Sequence, residues 1–219
     1  MRSLALVAAL CLSASASHAQ DAVKANPKNA HVVVDNARVR VLHVLVPPGV
    51  KTAMHEHPDN MTVMLTDGSI AFVDADGKSQ SMQVKAGEAM WSGPQKHAGT
   101  NSGKTPLEAV VVELKGSAAP TAKLPGTRPH STMTKPAESP RAEAYRIVAD
   151  AGFKEAPKTT HDYDQVVIAL GPSTLSIEIG GKTKTTWKRG DALFIGRGEP
   201  HQAQNSSGKA EPFAIVAIK

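Results

Sequence analysis

Two histidines one residue apart, in the stretch HEHPDNM (residues 55–61), can do metal chemistry. In an extended strand, residues i and i+2 share a face. His55 and His57 therefore point the same way, with Glu56 opposite. Imidazole nitrogen is the commonest protein ligand for Zn, Fe, Ni and Cu. A third imidazole from a distant strand would complete a facial set, and His97, beyond a Gly-rich turn in the same half, is the candidate. Three imidazoles leave positions open for water, substrate or dioxygen, as in a catalytic metal site. Without a metal, each ring in an apolar barrel would need its own hydrogen-bond partners.

Met61 follows on the same strand. Met61, Val63 and Leu65 share one face, which reads as barrel core, and a thioether also fills gaps adaptably. The alternatives are a soft ligand suited to copper(I), with Met54 and Met64 nearby, or an apolar wall beside the metal. Trp91 is close enough to His97 in sequence to line the same pocket, whereas Trp187 reads as sheet packing. His43, among valines and leucines, reads as a packed histidine, His31 as surface, and His130 carries no assigned role. No catalytic residue is assigned, and no Ser-His-Asp order, P-loop or dinucleotide fingerprint appears.

The elements that must position these side chains are short strands. RVRVLHVLV, MTVMLT, SIAFVD, EAMWS and LEAVVVEL recur in the first half; DQVVIAL, TLSIEI, KTKTTWK, DALFI and FAIVAI follow in the second. Asp67-Gly68, Asp76-Gly77 and Gly180-Gly181 supply turn signals between them. Such spacing predicts an all-β sandwich or barrel. AEAYRIVADAGF fits either a short helix started by Pro140 or a strand. The Pro/Ala/Thr-rich stretch 116–141 lacks apolar periodicity and reads as a linker or strap. The organisation expected is a first barrel over 20–115, this linker, and a second barrel over 142–219.

The two halves also resemble each other. HAGTNSGKTPLEAVVVELK from His97 parallels HQAQNSSGKAEPFAIVAIK from His201. One constant offset relates His55 to Thr159, His57 to His161, Met61 to Gln165, His97 to His201 and Asn101 to Asn205. A duplicated unit follows, with a weaker second pocket of His161, Gln165 and His201 beside Thr159. There the Gln165 amide must find partners, because a buried polar group left unpaired costs about 1–3 kcal/mol. That pocket is expected to be a hydrogen-bonded cluster or a poorer metal site. Asp162 and Asp164 alternate outward, and Asn101 and Asn205 read as residues that fix the loop after the histidine.

GVKTAMHEHPDNMTVMLTDG resembles the first cupin motif, G-x5-H-x-H-x3,4-E-x6-G, through Gly49, His55, His57 and Gly68, with Met61 at the acidic position. GEAMWSGPQKHAGTN is similar to the second motif, through Gly87, His97 and Asn101, one residue short. GDALFIGRGEPHQAQN matches the second motif again, while TTHDYDQ keeps only His161 of the first. The chain thus resembles a bicupin, which implies two tandem cupin-type jelly-roll β-barrels with the metal and substrate at a barrel mouth. The resemblance implies His55, His57 and His97 as ligands to one divalent ion (Fe, Zn, Ni, Mn or Cu). Some cupins with three histidines and no carboxylate are oxygen-using iron enzymes. A dioxygenase-like reaction on a small organic acid or phenol is one expectation; a non-catalytic small-molecule or metal-binding module is the other. Cupins often pair through sheet edges, so a homodimer is a family-level expectation.

Composition bounds the setting. Arg2, the apolar run LALVAALCL and the small residues SASASHA have the layout of a secretory signal peptide cleaved after Ala19. The run is shorter than the roughly 20 apolar residues of a membrane span. The expected location is therefore periplasmic or secreted. The single cysteine, Cys11, lies in that leader, so the mature chain would have neither disulfides nor thiolate ligands. Among 219 residues the formal charge is +5, with Lys and Arg scattered. That reads as a solvated basic surface with no nucleic-acid partner.

Overall fold

The computed structural model describes residues 20–117 and 125–219; the proposed leader and Cys11 lie outside the described residues. The first half runs β1 (Gln20–Asp21), α1 (Ala22–Ala25), β2 (Ala30–Asp35), β3 (Val39–Val46), β4 (His55–His57), β5 (Asn60–Met64), β6 (Gly68–Asp74), β7 (Ser79–Val84), β8 (Ala89–Ser92), β9 (Gln95–Asn101) and β10 (Leu107–Leu114). The second runs β11 (Ser131–Glu138), β12 (Ala142–Ala149), β13 (Asp164–Ala169), β14 (Ser176–Ile179), β15 (Lys182–Lys184), β16 (Ala192–Ile195), β17 (His201–Gln204) and β18 (Glu211–Ile218). Among the described residues, no helix is long and apolar enough to cross a membrane.

Each half is a two-sheet jelly roll. In the first, β1-β4-β9-β6-β7 faces β2-β3-β10-β5-β8; in the second, β15-β14-β17 faces β11-β12-β18-β13-β16. The orders β2-β3-β10-β5-β8 and β11-β12-β18-β13-β16 are the same topology repeated. AEAYRIVADAGF resolves as strand β12, paired along its length with β18. The stretch expected as linker contains β11, an edge strand on β12 whose register shifts between Thr134 and Ala137. Pro136 sits in that irregularity, where a residue without an N–H is tolerated. Mostly exposed, β11 has no apolar face to read in the sequence.

The barrels pack back to back through strands that are apolar on both faces. All eight residues of β10 are buried. Leu107, Ala109 and Val111 face the first barrel's interior. Val110 and Val112 join Val39, Val41, Met61 and Val63 against Ala142, Ala144, Val166, Ile168, Ala214 and Val216 of the other half. Strands buried on both sides read as continuous hydrophobic runs.

The interface is reciprocal. Arg38, before β3, donates from Nε to Asp164 at 2.7 Å, and its counterpart Arg141, before β12, pairs with Asp59. Gly87 and Gly190 occupy matching turns at φ +84° and +83°; a Cβ on Gly87 would stand 2.9 Å from the Arg146 side chain, and one on Gly190 2.5 Å from His43. The left-handed backbone favours glycine at both, and at Gly190 the close His43 ring also leaves no room for a side chain. His43 completes this rim, with Nε2 2.8 Å from Glu108, while Arg189 holds the other carboxylate oxygen at 2.9 Å. The two halves therefore meet as the subunits of a symmetric dimer would.

Candidate metal centre

Antiparallel pairing of β4 with β9 sets His55 directly opposite His97, and the two-residue strand period puts His57 on the same face. The ring centroids lie 4.6 Å apart for His55–His97, 4.9 Å for His55–His57 and 5.4 Å for His57–His97. One ligand nitrogen from each ring lies within 4.8 Å of the others, a spacing that can hold one metal ion.

Neighbours fix which nitrogen is available. His57 Nδ1 lies 2.7 Å from Glu113 Oε1, so it donates there and leaves Nε2 as the lone pair. Glu113 is held by Arg40 at 3.3 Å, and Arg40 by Asp21 at 3.0 Å, which ties the site to the N-terminal segment. His55 Nδ1 donates to the Ala53 carbonyl at 2.7 Å, and Ala53 N is fixed in turn by Asn26 Oδ1 at 2.7 Å. Burial, outweighing the other influences, lowers the His55 pKa. Burial followed by the two neighbouring imidazoles brings His97 down to about 3. Both rings are therefore neutral at pH 7, the state that binds a metal without releasing a proton. Glu113→Gln removes the charge behind His57 while preserving shape. Zinc affinity measured by competition with a chromophoric chelator is expected to fall about 10–100-fold.

The triad opens into a cavity of about 800 Å³, within the size range of small-molecule sites. Its wall includes Ile70, Phe72, Met64, Met90 and Trp91, with Asn60, Thr62 and Gln95 as polar points. Trp91 borders the cavity, but it stands directly opposite Met61 on the neighbouring strand and packs with it into the contact between barrels. Met61 itself does not border the cavity. Asn60, Thr62 and Met64 face the cavity, whereas Met61, fully buried, points away into the contact between barrels. The assignment of Met61 as pocket wall or thioether ligand is corrected on this strand parity; the core reading is the one the packing matches. The residue at the acidic motif position, counted by the longer of its two spacings, is Thr62.

Parity also corrects one step of the repeat. Glu113 is opposite Asn60, and Ala217, the counterpart of Glu113, is opposite Gln165. Gln165 therefore corresponds to Asn60, and the constant offset slips by one position along this strand. Asp164 then matches Asp59, and both pair across the interface.

The second barrel is filled. Phe153, Tyr163, Leu175, Ile177, Trp187 and Ile215 form its core, and the cavity beside His201 measures about 10 Å³. His161 and His201 approach with centroids 4.9 Å apart, and Gln165 Nε2 lies 3.3 Å from His201 Nε2. Thr159 donates its hydroxyl to Ala156 O at 2.8 Å, which uses it locally. Glu155 and Arg128 also enter this cluster, and neither stood out in the sequence. Burial and then the Arg128 charge bring His161 down to about 4. Asn101 and Asn205 have equivalent roles. Asn101 Nδ2 donates to Val46 O and Thr105 O, both at 2.8 Å; Asn205 Nδ2 donates to Ala149 O at 2.8 Å and to Lys209 O. Both therefore pin the loop before the last strand.

No protein-family model matches the sequence, and no curated protein sequence matches it. Solved structures do. The fold is similar to AerE from Microcystis aeruginosa, with TM-score 0.66 and 14% identity over 87% of this chain and 97% of that one. It is similar to the salicylate 1,2-dioxygenase of Pseudaminobacter salicylatoxidans, with TM-score 0.62 and 10% identity over 85% and 75%. A cupin 2 conserved barrel domain protein from Leptotrichia buccalis gives TM-score 0.55 and 9% identity over 87% and 88%. The chain thus shares the fold of these structures, with two jelly-roll units, and its first unit carries a three-histidine cluster whose spacing suits a metal ion.

Proposed function

We propose that this protein is an exported bicupin whose His55, His57 and His97 hold one divalent metal ion. On this reading it acts on a small organic acid or phenol in a dioxygenase-like reaction. The observation that carries the reading is the convergence of three imidazoles, two with their second nitrogen already engaged, on the edge of an 800 Å³ cavity. When bound, such an ion supplies Lewis acidity and, if it is iron, a place to activate dioxygen. The chain's own contribution is positional. Glu113 and the Ala53 carbonyl orient two ligands, and Phe72 and Met90 give the bound molecule an apolar wall. Three neutral ligands leave a dication's charge uncompensated among its own ligands, which favours an anionic guest. Salicylate 1,2-dioxygenase, a structural neighbour solved as a gentisate adduct, accepts a guest of that kind.

Protein purified without chelator is expected to carry about one equivalent of metal, and His57→Ala to carry none. A metal content unchanged in His57→Ala would sink the assignment. Sequencing of the exported protein should begin at Gln20.

A non-catalytic binding module is the second reading, and one observation favours it. Asp74, opposite His97, commits Oδ1 to the Asp76 and Lys78 N–H groups of its turn, at 3.0 and 2.9 Å. The turn thus holds this carboxylate in place through Oδ1, which leaves Oδ2 alone for an acid or base role beside the triad. Oxygen uptake with Fe(II) over a panel of small acids and phenols separates the two, since turnover that disappears in His97→Ala excludes a binding-only role.

A further inference from the structure

In the second barrel, three side chains of ligand type converge on a guanidinium. Glu155, His161 and His201 each place one ligand atom within 4.8 Å of the others. His201 donates its Nδ1–H to Glu199 O at 2.9 Å, so its lone pair is on Nε2, 3.7 Å from Glu155 Oε2. His161 Nε2 accepts from Arg128 Nη2 at 3.2 Å, and Arg128 Nη1 donates to Glu155 Oε1. Glu155 Oε2 also accepts from Ala203 N at 2.8 Å, which fixes the carboxylate beside the two imidazoles while Arg128 holds Oε1. The groups meeting these lone pairs are thus N–H donors, from Arg128 and from the Gln165 amide. That amide leaves its own Oε1 without a partner although Gln165 is 2% exposed. A buried polar atom in that state ordinarily answers to an ion, a water or a ligand.

We propose that Glu155, His161 and His201 form a second divalent-cation site whose centre Arg128 occupies, so that cation and guanidinium compete for the same lone pairs. Two imidazoles and one carboxylate with an open fourth position suit Zn²⁺ or Co²⁺. Arg128 comes from the connection between the barrels and its side chain is 23% exposed, against 4% for Glu155. The guanidinium can therefore withdraw toward solvent while the ligands stay in place. Occupancy is exclusive, because a dication beside an unmoved Arg128 meets like-charge repulsion in a poorly solvated site. Nothing in this proposal depends on the first barrel.

Cobalt(II) titration of the full-length protein, followed by its visible ligand-field absorption, tests the proposal on wild type, Arg128→Ala and Arg128→Ala/His201→Ala. Arg128→Ala should take up one equivalent more than wild type, or bind the second equivalent at least tenfold more tightly. The double variant should lose that gain. An Arg128→Ala isotherm identical to wild type overturns the proposal. Should Arg128→Ala unfold when metal-free, cobalt(II) is expected to restore its far-ultraviolet circular dichroism, and failure to do so equally overturns it.

Discussion

Met61→Glu is expected to unfold the protein, and Thr62→Glu to leave it folded and bind metal more tightly. Both variants add the carboxylate that the motif lacks, one residue apart. Met61 is fully buried among Val39, Val63, Val110 and the facing residues of the second barrel. A glutamate there would be a buried charge with no partner, at a cost of about 4 kcal/mol or more. That is a large share of an ordinary domain's stability, about 5–15 kcal/mol. Thr62 faces the cavity, where a carboxylate can stay hydrated or reach an ion held by the histidines. Urea unfolding and metal competition measure the two outcomes. Equal stability in both variants would contradict the strand parity described above.

Acid should destabilise the metal-free protein beginning near pH 6.5. His97 and His161 are held down to about 3 and about 4, and His55 is lowered as well, in each case chiefly by burial. The unfolded chain takes up protons at about pH 6.5, the ordinary histidine value, before the folded chain can. Folding stability is therefore whole above that pH and lost as pH falls toward the depressed values. The combined loss by pH 4 is of the order of several kcal/mol. Guanidinium midpoints measured between pH 7 and 4 report it. His161→Gln should flatten part of the slope even when the first barrel is untouched.

Much of this was legible in the sequence, for reasons that also explain what was not. The histidine triad was readable because H-x-H fixes two side chains on one strand face whatever the strand's surroundings. Asn101 and Asn205 stood out because their loops repeat. Met61 drew attention as a pocket residue because the shorter motif spacing puts it at the acidic position, while alternation along β5 separates two faces without saying which one lines the cavity. Glu113 carried a signal that went unused. It is a carboxylate in the otherwise apolar run LEAVVVEL, on the same parity as the cavity-facing Leu107, Ala109 and Val111. Asn26 and Arg128 gave none, since each reaches its site from a segment distant in sequence, and Glu155, though close before His161, falls outside the motif. Strand β11 stayed hidden because an exposed edge strand needs no apolar residues and accommodates Pro136 at its irregularity.

The back-to-back packing has a consequence for how such a protein can change. Along β5 and β10, odd and even positions answer to different demands, one set to the guest in the cavity and the other to adhesion between halves. Substitutions at every second residue can therefore re-specify what the cavity accepts without disturbing how the chain holds together. A single-residue insertion in either strand would exchange the two vocabularies at once. The safe route to new chemistry in this scaffold is by replacement at alternate positions, with strand length held constant.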